Sequence, residues 1–176
     1  MIFRETSIPG AFVIELEAHR DERGSFARAF CAREFEAHGI DPRVVQCNVS
    51  TNRLRGTLRG LHAQRPPHAE GKLVRCVRGA IHDVILDLRH GSTTRTEHFA
   101  VCLRAGDDRM LYVPEGVYHG FLTLEDDSEV FYQMTEYYEP GSAVGVRWND
   151  PAFGIEWPEP VKIVSDRDAA YPDWTG

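Results

Sequence analysis

The densest polar segment of the sequence runs from Arg59 to Gln64 and carries a histidine, His62, near its middle. On a regular strand Arg59 would face one way and His62 and Gln64 the other, because successive side chains alternate. This alternation places an imidazole beside an amide, which suits a base with a hydrogen-bonding neighbour. His62 is therefore a candidate general base, although a histidine satisfied at the surface or in the core would give the same pattern.

Two further segments carry groups that could move protons or bind a ligand. His119 lies between Gly116 and Gly120 at the start of an apolar strand, and glycines permit close approach to a ligand as well as tight turns. In the aromatic segment 130–138, alternation places Tyr132 on the same face as Met134. Tyr132 is thus either a proton donor in a pocket or a core aromatic residue.

Charge is distributed unevenly along this acidic chain. The formal net charge is −7, which disfavours nonspecific binding to nucleic acid. One stretch, 53–78, carries only one acid, Glu70, against seven basic residues: Arg53, Arg55, Arg59, Arg65, Lys72, Arg75 and Arg78. Such a stretch could meet a phosphorylated small molecule, or it could form a solvated basic face.

The elements that must position these groups are mostly strands. Turn residues recur about every ten positions between short apolar runs, which is typical of an all-β sandwich or barrel. Segments 72–78 and 80–89 are predicted to be strands joined by a tight turn at Gly79. Residues 31–38, closed by Gly39, form the best helix candidate, and a short helical turn is expected from Ser165 onward. The length of 176 residues fits a single domain, 1–176.

Alternation along 80–89 assigns roles to two acids. Asp83 and Asp87 point to the same face, which Ile81 and Ile85 share. Asp83, flanked by these isoleucines, is expected to be buried and hydrogen-bonded. Asp87, near the strand end, is expected to be solvated or to pair with a loop.

No segment predicts export or membrane insertion. The first ten residues lack a secretory pattern, and no apolar run reaches the roughly 18 residues of a membrane-spanning helix. The four cysteines form no C-x-x-C pair, so free, mostly buried thiols are expected. These features favour a cytoplasmic protein without a membrane partner.

Six sequence blocks, taken together and in order, closely resemble the dTDP-4-dehydrorhamnose 3,5-epimerases. The resemblance runs from about Gly10 to Asp168. Its blocks are residues 45–50 (VQCNVS), 58–62 (LRGLH), 71–75 (GKLVR), 83–89 (DVILDLR), 114–121 (PEG with HGF) and 148–151 (WNDP).

The resemblance implies a fold and a reaction. The fold would be a double-stranded β-helix, the cupin jelly roll, with a few short helices, usually assembled as a homodimer. The reaction would be epimerisation of a dTDP-4-keto-6-deoxyhexose, a small nucleotide-sugar substrate, without metal or organic cofactor. A ketone at carbon 4 acidifies carbons 3 and 5 together, so no cofactor need store electrons.

The resemblance also assigns roles to residues. His62 matches the base, Asp168 the carboxylate that pairs with it, and Tyr132 the acid that returns a proton to the opposite face of the sugar. Lys72 is the first candidate for stabilising the enolate oxygen, with His119 or Arg59 in support. The remaining substrate-binding candidates are Arg23, Gln46, Asn48, Tyr138 and Arg167.

Three alternatives remain open at this level. The family commonly has tyrosine at the position of Ala63 and acids at those of Arg28 and Ala143, so a 3- or 5-monoepimerase acting on a dTDP- or CDP-linked sugar is possible. A metal-dependent cupin would use His62, His68, Glu70 and His119 as ligands, but Gln64 replaces the second member of the usual His-x-His pair. A noncatalytic sugar-nucleotide binder would not require His62, Tyr132 and Asp168 together, since binding alone needs neither a base nor an acid.

Overall fold

Thirteen strands and two short helices make up the computed structural model, which describes residues 1–176. The strands are β1 (Ile2–Glu5), β2 (Phe12–Glu15), β3 (His19–Asp21), β4 (Gly24–Phe26), β5 (Gln46–Asn52), β6 (Leu58–Gln64), β7 (Lys72–Arg78), β8 (Ala80–Asp87), β9 (His98–Arg104), β10 (Arg109–Val113), β11 (Val117–Thr123), β12 (Ser128–Met134) and β13 (Ala143–Gly145). The helices are α1 (Ala32–Ala37) and α2 (Asp166–Ala169), and neither is long and apolar enough to cross a membrane. The all-β prediction and both predicted helices are confirmed.

Two antiparallel sheets face each other in a jelly roll. The six-stranded sheet has the order β1-β2-β10-β7-β12-β5, and the five-stranded sheet has the order β13-β6-β11-β8-β9. The hairpin β3–β4 stands apart as a third, two-stranded sheet. Most neighbouring strands are distant in sequence, as β5 and β12 are, so the chain winds between the sheets as a double-stranded β-helix.

The space between the sheets is filled with hydrocarbon over part of its length. The central cluster combines Val74 and Val130 of the larger sheet with Ile85 and Phe121 of the smaller one. Fully burying a side chain of this size contributes about 1.5–3 kcal/mol. This packed region fixes the spacing of the two sheets. The polar side chains of several of these strands line a separate part of the space between the sheets.

Each sheet also has a covered outer face. Phe35 of α1 packs with Leu73 and Tyr112 outside the six-stranded sheet. Outside the five-stranded sheet, Leu61 and Val84 pack with a C-terminal segment that includes Phe153. The sheets are therefore buried on both faces over much of their area, which makes the strands that carry the polar groups rigid.

The turn at Gly79 links different sheets. Gly79 has a φ of +71°, which favours glycine, and a Cβ there would lie 2.5 Å from the Ser128 hydroxyl. The two predicted strands are confirmed, although the second ends at Asp87 and not at Arg89. Because β7 and β8 belong to opposite sheets, this turn is a corner of the jelly roll.

Asp83 and Asp87 on β8 are both fully buried. Asp83 is hydrogen-bonded to His119, which confirms the prediction that it is buried and hydrogen-bonded. Asp87 pairs with the following loop through Arg89, Ser92 and Thr94, so the loop-pairing interpretation is confirmed and the solvated one is wrong. Burial would raise the pKa of Asp87, but these hydrogen bonds outweigh it and lower the pKa well below its usual value.

All four cysteines are free, but the prediction that most are buried is wrong. Only Cys76 is buried, and burial raises its pKa to about 11, which keeps the thiol protonated. Cys47 is exposed because it lies on the outer face of β5, where alternate side chains of the strand are exposed.

Candidate active site

A cavity of about 790 Å³ lies between the two sheets. Both sheets and the C-terminal segment contribute polar side chains to it. Ten of the eleven predicted site residues line this cavity: Gln46, Asn48, Arg59, His62, Lys72, His119, Tyr132, Tyr138, Arg167 and Asp168. Since His62 belongs to the five-stranded sheet and Tyr132 to the six-stranded sheet, the candidate base and acid enter the cavity from facing walls.

Arg23 is the predicted site residue that lies outside this cavity. It stands in the turn of the β3–β4 hairpin, where its guanidinium pairs with Asp21 and its side chain is 90% exposed. The hairpin has no strand partner in either large sheet, and it contacts the rest of the chain through Arg20, whose guanidinium donates to Asp108 at 2.6 Å. Arg23 therefore does not line the cavity of its own chain, and its place in the substrate pocket stays a prediction.

His62 and Asp168 form a close pair. His62 Nε2 lies 2.7 Å from Asp168 Oδ1, and the other carboxylate oxygen, Oδ2, accepts the N–H of Gly60 at 3.2 Å. The Asp168 side chain is 6% exposed, whereas that of His62 is 40% exposed. The carboxylate is thus fixed behind a ring that remains open to the cavity.

The C-terminal segment places Asp168 through backbone contacts with β6. The N–H of Lys162 donates to the carbonyl of Gly56, and the N–H of Leu58 donates to the carbonyl of Ile163. Ser165 then caps α2, because its hydroxyl accepts the N–H of Asp168 at 3.1 Å. The carboxylate therefore reaches His62 although the two residues are 106 positions apart.

The pair determines which imidazole nitrogen can act as a base. Burial would raise the pKa of Asp168, but the hydrogen bond and charge of His62, with the N–H of Gly60, outweigh it and lower the pKa below its usual value. An ionised carboxylate can only accept hydrogen bonds, so it holds a proton on Nε2. Nδ1 then carries the free lone pair with which His62 can take a proton from a ligand.

Simple strand alternation is wrong at the start of this site. Arg59 and His62 both line the cavity, whereas Leu61 packs in the outer core of the five-stranded sheet. The register between β6 and β11 shifts near this point. Gly60 has a φ of +122°, and a Cβ there would lie 2.5 Å from the Cα of Gly120. At this irregular position, where two glycines approach closely, Arg59 lies on the cavity side together with His62.

Tyr132 projects from β12 into the same cavity, where Arg59 and Glu70 also lie. Burial raises the pKa of Tyr132 above its usual value; Arg59 lowers it, and the negative charge of Glu70 adds to the increase. The phenol is therefore protonated at neutral pH and can serve as a proton donor.

Two further charged pairs complete the polar walls. His119 Nε2 lies 2.6 Å from Asp83 Oδ1, and the Asp83 carboxylate in this pair is fully buried. Lys72 Nζ lies 2.6 Å from Glu70 Oε1 and donates to the carbonyl of His62 at 3.3 Å. An ammonium and a second imidazole therefore lie at one cavity with the base, where they can stabilise negative charge that develops on a ligand oxygen.

The proposed metal ligands do not converge. His62 binds Asp168, Glu70 binds Lys72, and His119 binds Asp83. His68 does not line the cavity, and no three His, Cys, Asp or Glu side chains in the structure are arranged to hold a metal ion. The metal-dependent alternative thus lacks a ligand cluster.

Sequence reasoning missed two residues that hold the site together. The sequence suggests a role for Glu70 only as a metal ligand, yet Glu70 binds Lys72; the available signal is its position as the single acid in the basic stretch 53–78. The sequence predicts only a helical turn from Ser165 onward, although Ser-x-x-Asp is a capping signature that could have identified Ser165 as the N-cap of α2. Both residues contact a neighbour that lines the cavity.

Comparisons with known proteins agree on one family. A sequence model described as dTDP-4-dehydrorhamnose 3,5-epimerase matches residues 5–175. A curated relative of that name from Methanothermobacter thermautotrophicus is 46% identical over 169 residues, which cover 94% of this chain and 90% of the relative.

Solved structures with nucleotide ligands also superpose closely. A dTDP-4-dehydrorhamnose 3,5-epimerase from Bacillus anthracis, with TDP and PPi bound, has a TM-score of 0.94 at 39% identity and covers 98% of this chain and 99% of its own. A 3'-monoepimerase from Streptomyces bikiniensis in complex with dTDP-quinovose has a TM-score of 0.88 at 36% identity and covers 96% and 85%. The two folds are alike although the names differ in the number of carbons inverted.

Proposed function

Because the chain belongs to the dTDP-4-dehydrorhamnose 3,5-epimerase family, we propose that it inverts carbons 3 and 5 of a dTDP-linked 4-keto-6-deoxyhexose. The reaction needs neither a metal nor an organic cofactor. The observation that carries the proposal is the His62–Asp168 pair, which shares one cavity with Tyr132 from the facing sheet. Inversion requires a base and an acid on opposite sides of the sugar ring, and this cavity supplies both.

The steps follow from the roles that the geometry permits. His62 Nδ1 removes the proton from the carbon beside the ketone, and the electron pair moves to the carbonyl oxygen as an enolate. The Lys72 ammonium, supported by Arg59 and His119, stabilises that oxygen; a well-placed donor is worth about 3–4 kcal/mol. Tyr132 then protonates the carbon from the other face, and solvent restores both groups.

The remaining predicted residues would bind the nucleotide end of the substrate. Tyr138 is 50% exposed at the cavity, where its ring can stack on a base. Arg167 lies nearby and suits a diphosphate, since guanidinium groups pair well with phosphate oxygens. Gln46 donates to Asn48 at 3.1 Å, so the two amides form a hydrogen-bonding edge for a sugar or a base. We place this reaction in the cytoplasm, with residues 1–176 as one domain and without a nucleic-acid or membrane partner.

Incubation with dTDP-4-keto-6-deoxyglucose in D₂O tests the reaction. We expect NMR to show deuterium at carbons 3 and 5, because one ketone acidifies both positions and the exchanged proton comes from solvent. Label at one carbon alone would make the enzyme a monoepimerase, the second candidate that the Streptomyces bikiniensis structure favours. If neither carbon acquires deuterium, the proposal is overturned. The same incubation with the CDP-linked sugar tests which nucleotide the enzyme accepts.

We also propose that the working form is a homodimer in which the β3–β4 hairpin of one copy covers the cavity of the other. Phe26 at the end of the hairpin is 76% exposed, a large apolar surface that a second chain would bury. β5, which lines the cavity, is an edge strand and exposes Val49. This arrangement would bring Arg23 to the cavity of the second copy, although it does not line the cavity of its own chain.

Mixed dimers test the contribution of Arg23 across the interface. Arg23→Ala and His62→Ala homodimers are both expected to be impaired, whereas mixing unfolded chains of the two variants and refolding them should recover activity. In a mixed dimer one site would receive both intact residues, so up to about half of the dimers would carry one working site. Recovery measured by the D₂O assay supports the exchange of hairpins. Failure to recover activity, with mixed dimers shown by mass spectrometry, would mean that Arg23 acts within its own chain or not at all.

A further inference from the structure

Glu70 forms part of the cavity wall and is 5% exposed. Each of its oxygens has a fixed partner. Oε1 lies 2.6 Å from Lys72 Nζ, and Oε2 accepts the N–H of Gln64 at 2.9 Å. A carboxylate buried to this degree is costly unless it is paired, so this position is built around the contact with Lys72.

The loop before β7 is shaped to bring Glu70 back onto β6. The side chain of Gln64 donates to the carbonyl of His68 at 2.8 Å, which ties the loop down at its middle. The N–H of Gly71 donates to the Thr135 hydroxyl at 2.7 Å, and a Cβ at Gly71 would lie 2.9 Å from the Tyr112 hydroxyl. Glu70 and Lys72 are thus held on either side of a glycine that has no room for a side chain.

Lys72 has three N–H donors, and the protein occupies two of them. One is directed to Glu70 and one to the carbonyl of His62. The third is left for the cavity that Lys72 lines. A lysine side chain has four rotatable bonds, so an ammonium with a single weak contact would sample many positions, whereas one held at two points does not.

We infer that Glu70 is a positioning residue that fixes the Lys72 ammonium so that its free N–H meets the oxygen on carbon 4 of the substrate. The inference rests on the proposed function for the identity of that oxygen. A preorganised donor stabilises the enolate without having to reorganise during the reaction. Glu70 itself touches no reacting atom.

Glu70 has a second effect, on Tyr132. Its negative charge adds to the burial that raises the pKa of Tyr132, against the opposing effect of Arg59. The other titratable or charged groups around the cavity are His62 of β6, His119 of β11 with Asp83 of β8, Tyr138, and Arg167 and Asp168 of α2. Removing the charge of Glu70 should therefore lower the pKa of Tyr132, and the phenol would lose its proton at a lower pH.

Glu70→Gln tests both effects with nearly unchanged volume. An amide has one acceptor oxygen, so it cannot accept from both Lys72 and the N–H of Gln64. We expect kcat to fall about tenfold, the usual cost of one charge-assisted hydrogen bond, while affinity for dTDP stays within about twofold. The alkaline limb of the kcat profile should move to lower pH. Glu115→Gln, at an exposed position, is the matched control and should leave all three quantities unchanged.

A second measurement follows the ammonium itself and does not require turnover. The chain has only two lysines, Lys72 and Lys162, and Lys162 is exposed. In protein labelled with ¹⁵N-lysine, relaxation should show an ordered Nζ for Lys72 and a mobile one for Lys162. In Glu70→Gln the Lys72 signal should approach the mobility of Lys162, and Lys162→Arg assigns the two signals.

Glu70→Asp keeps the negative charge of the side chain but changes the position of its carboxylate relative to Lys72. Its side chain is one methylene shorter, so it should retain the alkaline limb near the wild-type pH yet lose Lys72 order and kcat. Wild-type order and kcat in both variants would overturn the inference, as would a loss of kcat with Lys72 still ordered. If wild-type protein shows ordered Lys72 but exchanges no deuterium at either carbon, the proposed function fails while the positioning by Glu70 stands.

Discussion

His62→Ala is expected to abolish the entry of deuterium at both carbons 3 and 5. The imidazole is the only group at the cavity that is both paired with a carboxylate and 40% exposed to a ligand, so its loss removes the base for both positions. Proton transfer by a positioned side chain contributes roughly 10²–10⁴-fold, and we expect kcat to fall by that factor. Exchange at each carbon is measured by NMR in D₂O. Exchange at the wild-type rate in His62→Ala would show that another group is the base.

Two companion variants make this result specific. Asp168→Asn keeps the shape of the pair, but its amide can donate to Nε2 and hold the proton on Nδ1, the nitrogen that must be free. We therefore expect a loss that approaches that of His62→Ala, although the imidazole is intact. His90→Ala, at an exposed position outside the cavity, is the matched control and should retain wild-type exchange. Full activity in Asp168→Asn would contradict the assignment of Nδ1.

Tyr132→Phe is expected to separate exchange from inversion. His62 can still remove a proton and return deuterium to the same face, so label should enter while the configuration is retained. Formation of the epimer should fall by roughly 10²–10⁴-fold, because the opposite face has lost its proton donor. The ratio of label with retention to label with inversion, read from NMR coupling constants, measures the effect. The change removes one oxygen atom and leaves the ring to pack against the central core.

The control for this variant is Tyr137→Phe. Tyr137 lies five positions further along the same segment, is 62% exposed and does not line the cavity. Its replacement should change neither exchange nor inversion. An unchanged rate of inversion in Tyr132→Phe would show that water or another side chain supplies the second proton.

Much of the fold could be predicted from local sequence because its elements follow local rules. The alternation of Ile81 and Ile85 against Val84 and Leu86 identifies the two faces of β8, and the structure places these pairs in different cores. Sheet membership could not be predicted in this way. The turn at Gly79 joins strands of opposite sheets. A hairpin within one sheet can use a glycine of the same conformation, so the glycine alone does not distinguish the two kinds of turn.

The site was predictable in its membership but not in its contacts. His62 and Asp168 are 106 positions apart, so only the family resemblance could join them. Of the seven basic residues in 53–78, only Arg59 and Lys72 line the cavity, and Arg55 instead pairs with Glu159. The side to which Arg59 points depends on a register shift that regular alternation cannot describe. Arg23 lies outside the cavity of its own chain, on a hairpin whose position relative to the two large sheets strand alternation does not specify.

Because Asp168 lies on α2, the base His62 is oriented only when the C-terminal segment has docked. Most of the cavity wall consists of strands formed by residues 46–134, but the carboxylate that orients the base arrives with the docking of 162–169 along β6. If the two sheets had formed while residues 162–169 were still undocked, the ring of His62 could rotate and adopt either tautomer. Such a chain would lack both the carboxylate that orients His62 and the Arg167 guanidinium proposed for the diphosphate, so turnover would report that residues 162–169 have docked.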